Sequence, residues 1–228
     1  MQRRSGMDDL DGPRFANRQR AGRMLSRFLR RYKNTRPLVL GIPRGGVPVA
    51  AEVARVLSGE LDVIVARKIP APMSREFAIG AVTAHGGRYL NAEVIAELGI
   101  DAQYVERETT VQTTEARRRT RRFRGTDTAL EVAGRTVIVV DDGLATGATM
   151  RAAVDWLRQQ PLATLVAAVP VGSVEACAQL QPLVDEMVCP FKPEPFFAVG
   201  RFYADFSEVS DDEVLASLKQ AGESRAVS

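Results

Sequence analysis

The segment Thr136-Val137-Ile138-Val139-Val140 places five β-branched residues in a row and runs straight into Asp141-Asp142-Gly143. An unbroken apolar run of this length, without polar alternation, predicts a strand buried on both faces, as in a parallel sheet covered by helices. The flanking sequence agrees. Pro37 to Ile42 reads as a buried strand, and Val47 to Leu57 has helical spacing. Leu61 to Ala66 is a second β-rich run, and Phe77 to Thr83 a further strand closed by a turn at His85-Gly86-Gly87. Ala92 to Leu98 and Asp101 to Phe123 read as helices, the second strongly polar. After residue 140 come a helix carrying Ala152, Ala153, Trp156 and Leu157 on one side, a strand over Leu165 to Val171, a helix over Val174 to Leu180 and a short strand over Met187 to Cys189. Pro13 to Tyr32 has helical spacing, and Ser210-Asp211-Asp212-Glu213 caps a final helix. Strands alternating with helices predict an α/β fold with a largely parallel sheet and right-handed crossovers.

In such a sheet, ligands bind beyond the carboxyl ends of the strands. Asp141 and Asp142 stand at that end of the clearest strand. Two adjacent carboxylates repel each other and resist desolvation, so a cation or hydrogen-bond donors should face them. Gly143, Leu144, Ala145, Thr146, Gly147, Ala148 and Thr149 follow and lead into a helix. Small residues let backbone N–H groups approach an anion, the threonines add hydroxyls, and the helix N-terminus adds its dipole. The loop therefore offers acceptors for a sugar diol beside donors for a phosphate. The plainer alternative is an acidic strand end followed by a glycine turn and a capped helix. There is no G-x-x-x-x-G-K-[ST] and no G-x-G-x-x-G after a strand.

Composition excludes little but is consistent. With 228 residues, 45% hydrophobic and 26% charged, the chain suits one sizeable α/β domain. Two cysteines, Cys177 and Cys189, are too few for a disulfide framework and have no partners at metal spacing. The first thirteen residues do not read as a signal peptide, and the apolar stretch Leu162 to Val171 is too short to span a bilayer, so a cytoplasmic setting and no membrane partner are expected. The net charge of +3 suits an anionic ligand without demanding nucleic acid. Only Lys33, Lys68, Lys192 and Lys219 are lysines, so arginine clusters carry little weight and a lysine at a motif position carries more.

The run from Val137 to Thr149 resembles the 5-phosphoribosyl-1-pyrophosphate (PRPP) motif of type I phosphoribosyltransferases. The resemblance extends from Phe15 to Val214. It includes Gly41 to Ala50, Ala66-Arg67-Lys68 and Glu76 to Val82, and is strongest to a bacterial group of predicted phosphoribosyltransferases. It implies a Rossmann-like central sheet flanked by helices with a small hood at about 190–207, a polar helical insertion at about 91–124, a flexible lead-in at 1–12 and a flexible tail at 222–228. It also implies a transferase that joins ribose 5-phosphate to a nitrogenous base with loss of pyrophosphate, in purine or pyrimidine salvage, as a homodimer. Asp141 and Asp142 would hold the ribose hydroxyls and, largely through water, a Mg2+ that arrives with PRPP. Gly143 to Thr149 would wrap the ligand, Ala145 to Thr149 around its 5-phosphate. Arg44, Gly45 and Gly46 would bind pyrophosphate together with Arg67 and Lys68, and the last two are also catalytic candidates along with Asp142 and Glu76.

By the same resemblance, Ile69 to Glu76 takes the place of a mobile catalytic lid, which would keep water from an oxocarbenium-like transition state. Phe197 and Val199 in the hood are base-binding candidates. Ala145 stands where oxopurine enzymes carry an aspartate, so the loop is closer to adenine- and orotate-type enzymes; the lid lacks the lysine and histidine of the latter. The arginines of 117–124 raise a second possibility, a PRPP-sensing or RNA-binding regulator on the same fold. A solvated helix with paired charges accounts for them more simply, so nucleic acid is not expected as a partner. His85 is expected to be exposed in its turn.

Overall fold

The computed structural model describes residues 13–126 and 128–226. The expected lead-in at 1–12 and residues 227–228 lie outside them. Among the described residues, eight strands and seven α-helices are formed in the order α1 (Arg18–Phe28), β1 (Leu38–Gly41), α2 (Gly46–Leu57), β2 (Glu60–Val63), β3 (Ala66–Ala71), β4 (Ser74–Thr83), β5 (Arg88–Leu90), α3 (Ala92–Glu97), α4 (Ala102–Arg124), β6 (Thr136–Val140), α5 (Ala148–Leu157), β7 (Thr164–Ala168), α6 (Val174–Leu180), β8 (Glu186–Val188) and α7 (Asp211–Ala226). Residues 222–226 therefore continue α7 instead of forming a separate tail. None of the described helices is long and apolar enough to cross a membrane.

The main sheet is parallel throughout, in the order β2-β1-β6-β7-β8. Its side chains alternate between two cores, which is why the central strands are apolar at every position. Val137, Val139, Leu165 and Ala167 pack with Met150, Ala153 and Leu157 of α5, while Ile138, Val140, Val166 and Ala168 pack with Leu25 of α1 and Val49, Val53 and Leu57 of α2. From β1 the chain crosses to β2 on one side, and from β6 it crosses to β7 on the other. The loops leaving these two neighbouring strands diverge, and a crevice opens between them at the switch point where such sheets bind ligands.

The run Leu61–Ala66 is split between two sheets. Residues 60–63 pair with β1; Ile64 still donates to the Gly41 carbonyl at 3.1 Å, and Ala66 then opens an antiparallel sheet ordered β3-β4-β5. Hydrophobicity marked the whole run as buried but carried no information on which strand would cover it. The polar helix α4 lies along the second sheet by a narrow stripe, with Val105 packed on Ile69, Ile79 and Val82. Its arginines are tied down: Arg118 and Arg119 bond Glu115, Arg122 pairs with Asp211 at 3.0 Å, and Arg124 with Asp62 at 3.0 Å. These cations therefore have acidic partners within the chain, as a solvated helix with paired charges would have.

The hood has two parts, one of them unforeseen. Residues 15 and 16 pair with residues 202–205: Phe15 N–H donates to the Phe202 carbonyl at 2.8 Å, and Ala204 N–H returns to the Phe15 carbonyl at 2.8 Å. Phe15, Phe191, Phe196, Val199, Phe202 and Tyr203 form a small core of their own. Most hood aromatics are thus structural. His85 departs from expectation. Its ring stacks on Trp156 with centroids 4.8 Å apart, and burial lowers its pKa.

Candidate active site

Two loops face each other at the switch point, Ile42–Gly45 after β1 and Asp141–Gly147 after β6. Their closeness is set by glycine. A Cβ on Gly46 would stand 2.7 Å from the Val140 carbonyl oxygen and 2.9 Å from the Asp141 Cα, and a Cβ on Gly45 would strike the Asp142 carboxylate. The glycines of Arg44-Gly45-Gly46 are therefore needed first for contact between the loops, and the Gly46 N–H is already held by the Ile42 carbonyl at 3.0 Å. Gly46→Ala is expected to destabilise the protein by about 1–3 kcal/mol, the usual cost of forcing atoms into a filled space. Urea denaturation of the purified variant would measure it, and an unchanged midpoint would refute the contact argument.

The acidic pair is held as an unusual electrostatic object. Asp141 accepts the Asp142 N–H at 2.8 Å through Oδ1. Burial and the neighbouring Asp142 charge push the Asp141 pKa well above the ordinary carboxylate range, against the Asp142 N–H, Arg18 and Lys68. Burial also raises Asp142, but there Arg18 opposes it directly, with Nε 2.8 Å from Oδ2. Arg18 also donates through a terminal nitrogen to the Ser207 carbonyl at 2.7 Å. The Tyr203 hydroxyl donates to the Asp142 carbonyl at 2.6 Å. Burial and the acidic charge keep that hydroxyl protonated.

The remainder of the β6–α5 loop divides by role. Leu144 is buried in the core and anchors the loop, its N–H donating to Val171 at 2.9 Å and its carbonyl accepting from Ser173 at 2.8 Å. Ala148 is also buried and could meet a ligand only through its backbone, whereas the N–H and carbonyl of Leu144 are already engaged. Ala145 and Thr146 are exposed at the mouth, and Thr149 is half-buried. Gly147 adopts the left-handed region at φ 74°, and no side chain caps the first turn of α5. Those N–H groups and the helix dipole make a ready anion cradle. Val199 fills the space above Gly143, so that the hood closes directly on the loop.

The remaining candidates are brought together unevenly. Lys68 is exposed on β3 and its charge favours the ionised form of Asp141. Arg67, its neighbour, faces the other side of the strand, bonds Gln112 of α4 at 3.1 Å, and feels the like charges of Arg119 and Arg118. The Arg67-Lys68 pair expected at the pyrophosphate is therefore split, with only Lys68 on the acidic-pair side. Arg44 pairs with Glu208 and, at 3.5 Å, with Asp211, so its charge is shared with the C-terminal segment. The expected lid is not an irregular loop: it folds as the β3–β4 hairpin, with Met73 almost fully exposed at its tip. Glu76 lies in β4, and its side chain is outside the described residues. Phe197 is 69% exposed, with the Arg201 guanidinium 5.1 Å from its ring centre.

This arrangement agrees with what the sequence matches. The phosphoribosyl transferase domain family aligns with residues 14–187. The chain belongs to the phosphoribosyl transferase family. A Mycobacterium tuberculosis protein named "Putative phosphoribosyl transferase", in strains H37Rv and CDC 1551, is 42% identical over 207 residues, or 91% of this chain. The match takes up 47% of that relative, so the chain spans about half the length of the curated relatives it matches. The crystal structure of TT1426 from Thermus thermophilus is 43% identical, covers 91% of this chain and 98% of its own, and superimposes with a TM-score of 0.76. The matched region takes in both loops of the crevice, β3 and β4, and begins four residues before Arg18. Within this member of the family, Arg18 is the site residue that sequence reading missed. It is one of 27 arginines, and its partner lies 124 positions away.

Proposed function

We propose that the protein transfers ribose 5-phosphate from PRPP to a nitrogenous base. The C1′–oxygen bond to pyrophosphate breaks, a bond from a base nitrogen to C1′ forms with inversion, and the base gives up a proton. The observation that carries this reading is the juxtaposition, at the sheet's switch point, of the Asp141–Asp142 pair and the uncapped start of α5 with the Arg44-Gly45-Gly46 loop. A sugar diol needs acceptors, a 5-phosphate needs N–H donors, and a departing pyrophosphate needs positive charge nearby. Lys68 is the exposed cation on the acidic-pair side and is suited to the last task.

Mg2+ fits this donor set as a ligand-borne ion. Among the described residues no group of three or more His, Cys, Asp or Glu could hold a metal, whereas Asp141 and Asp142 offer two carboxylates to the water shell of an ion carried by PRPP. When bound, it would neutralise charge on the pyrophosphate. The β3–β4 hairpin would cover the reacting centre, and Phe197 with the backbone around Val199 would receive the base. Salvage of a free base by a cytoplasmic homodimer is the setting this reading implies. The decisive experiment incubates a panel of bases with PRPP and Mg2+ and follows pyrophosphate release and product mass. Absence of product across the purine and pyrimidine bases, with PRPP still bound, would favour a PRPP-sensing protein.

Ala145 bears on the choice of base. It is exposed at the mouth of the loop, at the position where a carboxylate could meet the imidazole edge of an oxopurine. General acid–base help is worth roughly 10²–10⁴-fold where it operates. If a purine is accepted, adenine is expected to exceed hypoxanthine and guanine in kcat/KM. A higher value for either oxopurine would remove Ala145 from the discrimination.

A further inference from the structure

Arg18 occupies a position that helix stability does not explain. Asn17 caps α1 by accepting the Arg20 N–H, which fixes Arg18 as the first helical residue. A cation there opposes the helix dipole, which favours negative charge at this end. Its guanidinium is nonetheless withdrawn from water: the side chain is 10% exposed, against 14% for its partner Asp142. Charged groups are buried at this cost only when paired and hydrogen-bonded. Arg18 meets that condition by joining two parts of the molecule. One nitrogen bonds Asp142 at 2.8 Å and another the Ser207 carbonyl at 2.7 Å. The guanidinium carbon lies 4.0 Å from the ring centre of Phe206.

The attachments on each side give this link a direction. Asp142 Oδ2, which Arg18 holds, lies against Gly45 in the facing loop, so the guanidinium stands where the two loops meet. Phe206 in turn packs on Gly200 in the hood and on Tyr203, whose hydroxyl bonds the Asp142 carbonyl. Residues 15 and 16 are stitched by backbone hydrogen bonds to residues 202–205. We infer that Arg18 is a positioning residue that fixes the Asp142 carboxylate in the crevice and couples it to the hood, so that the hood and the PRPP loop are set as one unit. The inference rests on the crevice being a PRPP site. It assigns to the N-terminal helix a part in ligand binding that neither loop contains.

The test is calorimetric titration of the full chain with PRPP in the presence of Mg2+. Arg18→Met, which keeps length and apolar packing, is expected to lower affinity about thirty-fold or more, as truncating one partner of a buried charge pair does. Arg18→Lys should recover most of the loss, since it restores charge beside Asp142 but not the fork to Ser207. In an Asp142→Asn background, Arg18→Met should add less than about threefold, because residues acting through one another are not additive. Phe206→Leu, which leaves both crevice loops unchanged, should weaken affinity severalfold, and it tests the hood link even if Arg18→Met does not fold. Wild-type affinity in folded Arg18→Met, or in Phe206→Leu, would overturn the inference and leave the PRPP reading standing. Equal, additive losses in both backgrounds would also overturn it. Failure of the wild-type protein to bind PRPP would overturn the PRPP reading and the inference with it.

Discussion

Asparagine at position 141 is expected to stabilise the ligand-free protein while weakening its affinity for PRPP with Mg2+ at least tenfold; asparagine at position 142 should lower stability and weaken that affinity as much. The two residues are neighbours of one chemical type, and only their surroundings differ. Asp141 is half-buried beside another carboxylate, and its pKa is raised well above the ordinary range. The sign follows from linkage. A carboxyl that is harder to ionise in the folded state favours folding most below its unfolded pKa, about 3.9, and that contribution is lost as pH rises through the raised folded value. Above that value the folded protein carries an ionised Asp141 at a cost. The Asp141→Asn substitution removes the cost and keeps the acceptor for the Asp142 N–H. A gain of about 1 kcal/mol is expected, or roughly 2–4 °C in Tm for a domain of this size.

Asp142 is raised too, by burial above all, but its neutralisation strands a partner, because Arg18 is paired with it. Asp142→Asn leaves a guanidinium with 10% side-chain exposure facing a neutral amide. Removing one member of a buried pair costs on the order of 3 kcal/mol, here reduced by the Ser207 and Phe206 contacts that Arg18 retains. Thermal melts at pH 5 and pH 8 would check the pair: the advantage of Asp141→Asn should be larger at pH 8. Calorimetry should find at least a tenfold loss of PRPP affinity in both. Opposite effects on stability with the same effect on binding cannot arise from general unfolding. If Asp141→Asn is destabilised as much as Asp142→Asn, the electrostatic account of the pair is wrong.

What the sequence revealed follows the range of the interactions concerned. β6, the acidic pair and the start of α5 are contiguous, and their chemistry is written in adjacent residues, so strand, loop and helix were expected where they are found. α4 was equally legible, from its period and its C-terminal cations. Arg18 was not, because a cation paired across 124 residues leaves no local mark among 27 arginines. His85 was misjudged for a related reason. A glycine turn predicts exposure, but a Cβ on Gly87 would strike the Ala152 carbonyl, so the turn is pressed onto α5 and the imidazole onto Trp156. The Arg67-Lys68 pair shows a third limit. Two adjacent cations suggest a joint site, yet in a strand neighbours face opposite ways, and only the register says which face meets the site.

That division of faces leads to the last expectation: Lys68→Ala should lower kcat by about 10²-fold or more with KM changed less than threefold, whereas Arg67→Ala should lower kcat less than tenfold. Lys68 stands exposed on β3 with its charge felt by Asp141, so it can approach a ligand that the acidic pair holds. Negative charge on the departing pyrophosphate grows as the C1′–oxygen bond breaks. A cation that interacts more strongly with that developing charge than with bound PRPP lowers the barrier and not KM. Arg67 is committed to Gln112 on the α4 side, where Arg118 and Arg119 already supply positive charge. Its loss should loosen the helix–ribbon contact without removing charge from the reacting centre. Steady-state kcat and KM for PRPP, with the preferred base saturating, separate the two roles. A raised KM at constant kcat in Lys68→Ala would make the lysine a ground-state binding group. A larger kcat loss in Arg67→Ala than in Lys68→Ala would mean that the ribbon reorients on binding and brings its other face to the ligand.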